Sequence, residues 1–426
     1  MGCILIKGLK MKIIDKVLVG WGKVEAPIIA CAALKKNVLL ISRHGTGKTT
    51  LGRFLGQALS GDTKSFAFYP ADKCNEFDIC GFPNIEASKQ SGQNSYIKSS
   101  QTIWNKKVIV IDELSRAPRD NQNLWLEILE ENTARGNPIP LEMAIATANP
   151  ITYTGTFQLD AALQDRFWAV INAPDLMGTE LEEEILIEVI NKNLVRKDSE
   201  EEIAASFREL INSTRANYDS LLKDEKISNR VKMFVSKLLA VVLKYTAKDK
   251  QNTFYISPRN CVQLFHMVLA CSAYFKTTGE EFWLEEGAKS ATQFNLIIKN
   301  GIELAKVIEP VLNDLLMLLS DAETGFIKFK IQLRFTTPEQ ICQLIKDNID
   351  QFKQMPQHEQ SQILEITSQK LTNKPARLWE LRSLLKSNGT TAIKTEAMLA
   401  LAVQRSAGSF KDLFEINENI INSFSS

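Results

Sequence analysis

Histidine is scarce in this chain. His44, His266 and His358 are the three histidines among 426 residues, and they lie far apart, which argues against a zinc site. The seven cysteines are odd in number and form no Cys-x-x-Cys pair, which fits a reduced cytosolic protein and not a disulfide framework. An excess of charge is missing too: 51 Lys+Arg against 50 Asp+Glu give a formal net charge of +1. That balance argues against a general polyanion binder while leaving room for a local basic patch. No apolar run is long enough for a bilayer, because the charge-free stretch Asn260–Phe275 is short and contains Asn, Gln and His. No secretory signal is evident at the start, and "MGCILIKGLK" has Ile6 where a myristoylation segment needs Ser or Thr. Repeats of fixed period and low-complexity linkers are lacking as well. The expectation is a cytoplasmic protein without a membrane segment, long enough for two or three domains and a large core.

What is present is a rhythm of short strand-like runs separated by helical ones. Val38–Ile41, Ser65–Tyr69, Val108–Ile111, Met143–Ala148 and Phe167–Ile171 read as strands of an α/β domain with a largely parallel sheet. After Pro174 the chain turns helical. Thr179 with Glu182, and Ser199 with Glu202, are capping-box starts, and Arg230–Tyr245 and Cys261–Tyr274 are amphipathic. "FIKFKIQLRF", Phe326–Phe335, alternates apolar and polar residues and reads as a half-buried strand, and Thr337-Pro338 opens another helix. The domains expected are 1–175, a nucleotide-binding core; 176–284, a helical lid; and 285–426, a mostly helical region with the strand at 326–335.

The chemistry is concentrated in three segments. "ISRHGTGKTT", Ile41–Thr50, joins the first strand to a helix, and there Gly47, Lys48 and Thr49 match a phosphate-binding loop. Ser42 replaces that loop's first glycine, at an expected conformational cost. Backbone N–H groups of His44, Gly45, Thr46, Gly47 and Thr50 at the helix start would face a polyphosphate. Lys48 would reach the outer phosphates, and the Thr49 hydroxyl would hold Mg²⁺. The bland reading is a surface turn that happens to contain a lysine. "KKVIVIDELSRAP" places Asp112 and Glu113 at the end of a buried strand, Asp112 to hold Mg²⁺ and Glu113 to orient the attacking water. Asn149 ends a third strand, where an amide can bond both that water and the terminal phosphate, although Asn-Pro alone is commonly just a turn.

Together the segments resemble a MoxR-type AAA+ ATPase, of the clade with an insertion in helix 2. The resemblance rests on Gly45-Thr46-Gly47-Lys48-Thr49, Asp112-Glu113-Leu114-Ser115-Arg116-Ala117-Pro118, Ala148-Asn149-Pro150, Gly155-Thr156 and Leu163-Gln164-Asp165-Arg166-Phe167, and spans roughly Gly20 to Arg259. Ser115 replaces the family's Asn without a clear consequence. The resemblance implies a P-loop NTPase core, ATP and Mg²⁺ as ligands, and a homo-oligomer, expected to be a hexameric ring. It implies that Arg166, with Arg116 in reserve, reaches the nucleotide of the neighbouring subunit; an ion pair with adjacent acids is the plain alternative. In "YISPRNCVQLF", Ser257 and Pro258 start a helix that places Arg259 in the first turn, against the helix dipole unless an anion is near. Arg259 is accordingly expected to contact the γ-phosphate from the lid, whereas Lys374-Pro375-Ala376-Arg377, similar in shape, reads as a structural helix start.

The activity implied is ATP hydrolysis that remodels, activates or assembles a partner protein, commonly one with a von Willebrand factor A domain. Asp78-Ile79-Cys80-Gly81 resembles the family's "DITG" segment, and the polar stretch Asn84–Asn94 beyond it is expected to face the ring's pore and grip that partner. The rival readings are a nucleic-acid-directed NTPase motor, either a helicase or a GTP-using restriction type, and a nucleotide-gated scaffold. Near-neutral charge without a basic-aromatic stripe weighs against the motor. Intact Lys48, Asp112, Glu113 and Asn149 weigh against the scaffold.

Overall fold

Five aliphatic runs pair side by side in one wholly parallel sheet. The strands are β1 (Val38–Ile41), β2 (Phe66–Pro70), β3 (Val108–Asp112), β6 (Met143–Ala148) and β7 (Ala169–Asn172), in the order β2-β3-β6-β1-β7. Register is set by Val38 opposite both Ile145 and Ala169, and by Val108 opposite both Phe66 and Met143. The three central strands are buried almost throughout, as expected of a parallel sheet covered on both faces. The structure is a computed structural model that describes residues 12–62, 64–92, 94–150, 156, 159–172, 200–246, 256–300, 302–319, 329, 333, 336–371 and 374–387.

Helices fill the crossovers. α1 (Glu25–Leu34) precedes β1, and α2 (Lys48–Ser60) lies on β2, β3 and β6. Before β3 come α3 (Glu76–Cys80), started by an Asn75/Asp78 capping box, and α4 (Ile85–Ser91), capped by Asn84. α5 (Arg119–Glu131) buries Trp125, whose ring lies 5.5 Å from that of Tyr69. A two-stranded turn, β4 (Thr133–Ala134) with β5 (Asn137–Pro138), and α6 (Ala161–Gln164) complete the core.

Beyond the sheet the described residues are mostly helical, as expected. α7 (Glu200–Lys223), α8 (Glu225–Thr246), α9 (Pro258–Thr277) and α10 (Trp283–Ala291) lead into a π-helical turn, Thr292–Ile297, and then α11 (Ile302–Leu316). Thr179, Glu182, Ser199 and Gly155 lie outside the described residues. α9 starts as its sequence dictates: the Ser257 hydroxyl accepts from Asn260 N at 3.2 Å, Asn260 Oδ1 accepts from Ser257 N at 2.9 Å, and Pro258 stands first. α9 packs against α1, α7 and α10. Glu25 of α1 is buried, accepting from Ile14 N and the Tyr274 hydroxyl, each at 2.7 Å, so the N-terminal segment, α1 and α9 share one carboxylate. Burial pushes that carboxyl above its ordinary pKa, although both hydrogen bonds oppose the shift.

Two compact units result, Met1–Leu319 and Ser320–Ser426. The boundary expected between residues 284 and 285 falls inside α10. α10 lies flush on α9: a Cβ on Gly287 would come 2.4 Å from Ser272 N and 2.5 Å from Ser272 Cα. The second unit has its own core, built by Phe352, Ile363, Leu378 and their neighbours on α12 (Ile341–Asp347), α13 (Ile349–Gln354), α14 (Gln357–Leu371) and α15 (Pro375–Ser387). Within the stretch read as a strand, 326–335, only Phe329 and Leu333 are described, and both are helical and buried. Their spacing of four puts them on one helical face, so the alternation was misread.

Gly287→Ala tests the α9–α10 contact. The methyl would press on backbone, and overpacking typically costs about 1–3 kcal/mol. Ala gains about 1 kcal/mol over Gly within a helix. A net loss of about 1 kcal/mol, at most about 2, is expected and is read as a lower urea midpoint at unchanged slope. An unchanged midpoint would show that the helices are not in backbone contact.

Candidate active site

β3, β6 and β1 are neighbours, so the segments following them meet at the C-terminal edge of the sheet. The loop after β1 is anchored by Ser42 N donating to Ala148 O of β6 at 3.3 Å. It turns through Gly45 (φ +80°) and Gly47 (φ +85°), conformations that side chains disfavour, and a Cβ on Gly47 would also strike Leu18 at 2.8 Å. Ser42 has no positive φ, so the substitution of the first glycine carries no backbone cost, contrary to expectation. Its hydroxyl instead bonds the Thr46 hydroxyl and braces the loop from within. Buried Trp21 braces it from outside, donating from Nε1 to Thr46 O at 3.3 Å.

Lys48 opens α2, and its Nζ donates to Ser42 O (2.6 Å), Arg43 O (3.0 Å) and Asn149 Oδ1 (3.2 Å). Burial lowers its pKa, and the carboxylates of Asp112 and Glu113 oppose the change. The Thr49 hydroxyl donates to Asp112 at 2.9 and 3.2 Å. A cavity of about 320 Å³ is lined by His44, Gly45, Thr46, Gly47, Lys48, Thr49 and Thr50 together with Glu113, Thr147 and Asn149. Every residue expected to bind the nucleotide therefore lines one cavity or, in the case of Asp112, bonds a residue that does.

Thr147 was not among the expected site residues, yet it organises the acidic side. Its hydroxyl donates to Asp112 Oδ1 at 2.6 Å and accepts from Glu113 N at 2.9 Å, using both capacities of one hydroxyl. Glu113 is left-handed (φ 57°, ψ 40°), an arrangement that costs a non-glycine residue about 1–3 kcal/mol and collects at working sites. The bond to Thr147 helps hold it there. Ser115 also gains a role: its buried hydroxyl accepts from Asn149 N at 3.1 Å. Arg116 lies 3.3 Å from Glu113 and 3.4 Å from His44 Nε2.

The cavity fits a polyphosphate and a hard cation. The N-terminal end of a thirteen-residue helix, a lysine and a turn of backbone N–H groups suit phosphate oxygens. A Thr hydroxyl beside a carboxylate offers the oxygen donors that Mg²⁺ takes. Because Lys48 donates to Asn149 Oδ1, the amide's Nδ2 must point away, and that buried donor finds no acceptor among the described residues. An incoming oxygen would satisfy it.

Arg166 and Arg259 are not at this cavity. Asn37, the residue before β1, donates to Arg166 O at 3.4 Å, which places Arg166 at the opposite, N-terminal edge of the sheet. The four residues of β1 alone separate the edges by about 13 Å, at about 3.3 Å per residue. Arg166 pairs with Glu130 and, at 3.6 Å, with Asp165; Arg259 pairs with Glu130 at 2.9 Å and Asp165 at 3.6 Å. Arg259, expected to contact the γ-phosphate from the lid, therefore does not line the cavity of its own chain. The anion its helix position demanded is present, but it is a pair of carboxylates. Arg377 near the start of α15 pairs with Glu380 at 2.5 Å, in keeping with a structural helix start.

Thr147→Val keeps the shape of the strand and removes both hydroxyl bonds. Loss of a group that orients ligands of a metal commonly costs about 10–100-fold, and that fall is expected in kcat for ATP, with affinity nearly unchanged. Steady-state phosphate release beside nucleotide titration measures the two separately. Unaltered kcat would remove Thr147 from the site.

Residues 37–169 match the family model described as "ATPase family associated with various cellular activities (AAA)". An uncharacterized protein of Bacillus subtilis (strain 168), YeaC, is 29% identical over 167 residues, covering 38% of this chain and 49% of YeaC. The chain thus spans about half the length of that curated relative. A solved structure described as "a putative ATPase from Cytophaga hutchinsonii ATCC 33406" is 18% identical, with 72% of this chain and 93% of the other covered. Its TM-score of 0.45 is too low to bear on the fold or the function. The loop, the carboxylates and Asn149 converge where β1, β3 and β6 end, and these are the segments that fall within the matched residues 37–169, the part of the chain that resembles an AAA-type ATPase domain.

Proposed function

We propose that this chain is a MoxR-type ATPase that works as a ring, expected to be hexameric, and uses ATP hydrolysis to remodel or assemble a partner protein. One observation carries the ring: Arg166 and Arg259 stand together at the edge of the sheet remote from their own cavity, where a neighbour's nucleotide can meet them. Their formal surplus of charge supports this, since with Lys299 they set three cations against Glu130 and Asp165. A partner is supported by Ile85, exposed within the stretch Asn84–Asn94 expected to grip it, and by Phe77, Phe82 and Ile97, exposed on either side of that stretch. Phe77 and Phe82 stack with centroids 5.0 Å apart. A protein carrying a von Willebrand factor A domain is the partner class the MoxR resemblance implies.

In this reading the P-loop amides and Lys48 bind the β- and γ-phosphates. Thr49 and Asp112 hold Mg²⁺, which, when bound, neutralises charge on the phosphate oxygens. Glu113 accepts a hydrogen bond from the attacking water and aligns it with the γ-phosphorus. Asn149 Nδ2 donates to the same water or to a γ-oxygen, leaving Oδ1 to Lys48. Phosphoryl transfer depends mainly on such placement and on charge stabilisation. Arg166 from the next subunit supplies the remaining positive charge.

Lys48→Ala is expected to lose ATP binding, whereas Glu113→Gln binds ATP and loses hydrolysis. Titration with a fluorescent nucleotide, read beside phosphate release, separates them, and wild-type turnover by Glu113→Gln would refute the carboxylate assignment.

Arg166→Ala should leave affinity nearly intact and slow hydrolysis by about 10³–10⁵, roughly 4–7 kcal/mol of barrier. Mixed with Lys48→Ala subunits it should regain activity, because one interface type then has a whole loop and a whole arginine. Absence of rescue in mixed rings shown to form would count against the action in trans.

A further inference from the structure

Glu130 has no part in the chemistry described so far, yet both of its oxygens are committed. Oε2 accepts from Arg166 Nη2, and Oε1 accepts from Arg259 Nη2 at 2.9 Å. The two arginines come from distant parts of the chain, one after α6 and one in the first turn of α9, and Glu130 sits in the last turn of α5. A single carboxylate therefore clamps two guanidinium groups side by side. Asp165 lies on both as well, but its Oδ1 is occupied by Asn260 Nδ2 at 2.5 Å and Lys299 Nζ at 3.1 Å. Asp165 is tied into the fold in this way; Glu130 is one-third exposed and has no other hydrogen bond or ion pair among the described residues.

The placement runs against local preference. An anion at a helix C-terminus and a cation at a helix N-terminus both oppose the helix dipole. Glu130 and Arg259 each occupy the unfavourable end and satisfy one another. Two adjacent guanidiniums also repel, and a shared carboxylate is what lets them stand together. Arg166 is not fully satisfied, since its buried Nε finds no acceptor among the described residues. The clamp thus aligns the pair while leaving positive charge over.

We infer that Glu130 is a positioning residue that holds Arg166 and Arg259 as a paired fork, presented to the γ-phosphate of ATP bound by the next subunit. The inference rests on the ring reading above and deepens it: both arginines act on one anion, through one carboxylate. Its signature is that damage at Glu130 appears in the neighbour's site and not in its own.

The test uses full-length Glu130→Gln, which keeps size and removes charge. kcat should fall about 10–100-fold, the size expected when the group behind a working residue is lost, while KM for ATP moves less than about two-fold. Glu130→Asp should recover part of the rate. Mixing Glu130→Gln with Lys48→Ala should restore activity, and mixing it with Arg166→Ala should not, because those two defects lie on the same side of the interface. Added to an Arg166→Ala/Arg259→Ala protein, Glu130→Gln should change nothing further. Unchanged or raised kcat in Glu130→Gln overturns the inference. So does failure of Lys48→Ala to rescue it while Lys48→Ala still rescues Arg166→Ala. Failure of both rescues in rings shown to form overturns the ring reading itself.

Discussion

One carboxylate organises the catalytic edge of the sheet. Asp112 accepts from Thr49 of α2 and from Thr147 of β6 at once, so segments following β1 and β3 are fixed to the strand lying between them. Thr147 in turn holds the backbone of Glu113, and Ser115 holds that of Asn149. The cavity walls are thereby cross-linked by short hydrogen bonds between neighbouring strand ends, and a buried, satisfied polar network of this kind is rigid. Such rigidity matters for phosphoryl transfer, where displacement of the water or the γ-phosphate removes most of the catalytic advantage. The left-handed backbone of Glu113 is tolerable only inside this network.

Much of this was legible because the sequence and the sheet obey the same rules. Val38–Ile41 and Met143–Ala148 are apolar runs too short for helices and too continuous for a half-exposed strand, and both are central strands with the expected bounds. Ser257-Pro258 announced the start of α9 through capping chemistry alone. The loop lysine, the acidic pair and Asn149 were readable because each directly follows such a strand.

The failures have physical causes as well. Thr147 looked like one more strand residue, since β-branching suits a strand whatever its hydroxyl does; only burial on both faces reveals that the hydroxyl must find partners. Ser42 was charged with a glycine's conformational freedom, but that position in this loop requires none. The expected limit at residue 285 follows from where the resemblance ends, and nothing in the sequence there signals that Gly287 brings α10 against the backbone of α9. Phe329 and Leu333 fit two periods at once, so alternation over ten residues was too short to separate strand from helix. Glu130 gave a faint signal, an acid at the wrong end of a helix, which becomes meaningful only once Arg166 and Arg259 are seen beside it.

The two edges of the sheet do not act on the same nucleotide in the ring reading, which raises the question of how they communicate. α5 is the natural connection. It begins two residues after Ala117, at the end of the segment that carries Glu113 and Arg116, and finishes in the turn that carries Glu130. Thirteen residues at about 1.5 Å each span about 20 Å, enough to run the depth of the sheet. Buried Trp125 at its middle fixes the helix against the core and discourages bending there. A helix so held moves as one body, so a displacement of the Glu113 segment on loss of the γ-phosphate would shift the Glu130 clamp, and with it the arginines facing the next subunit. In that reading the carboxylate that aligns the fork would also report the state of its own subunit's site. Coupling around the ring would need no further moving part than this helix.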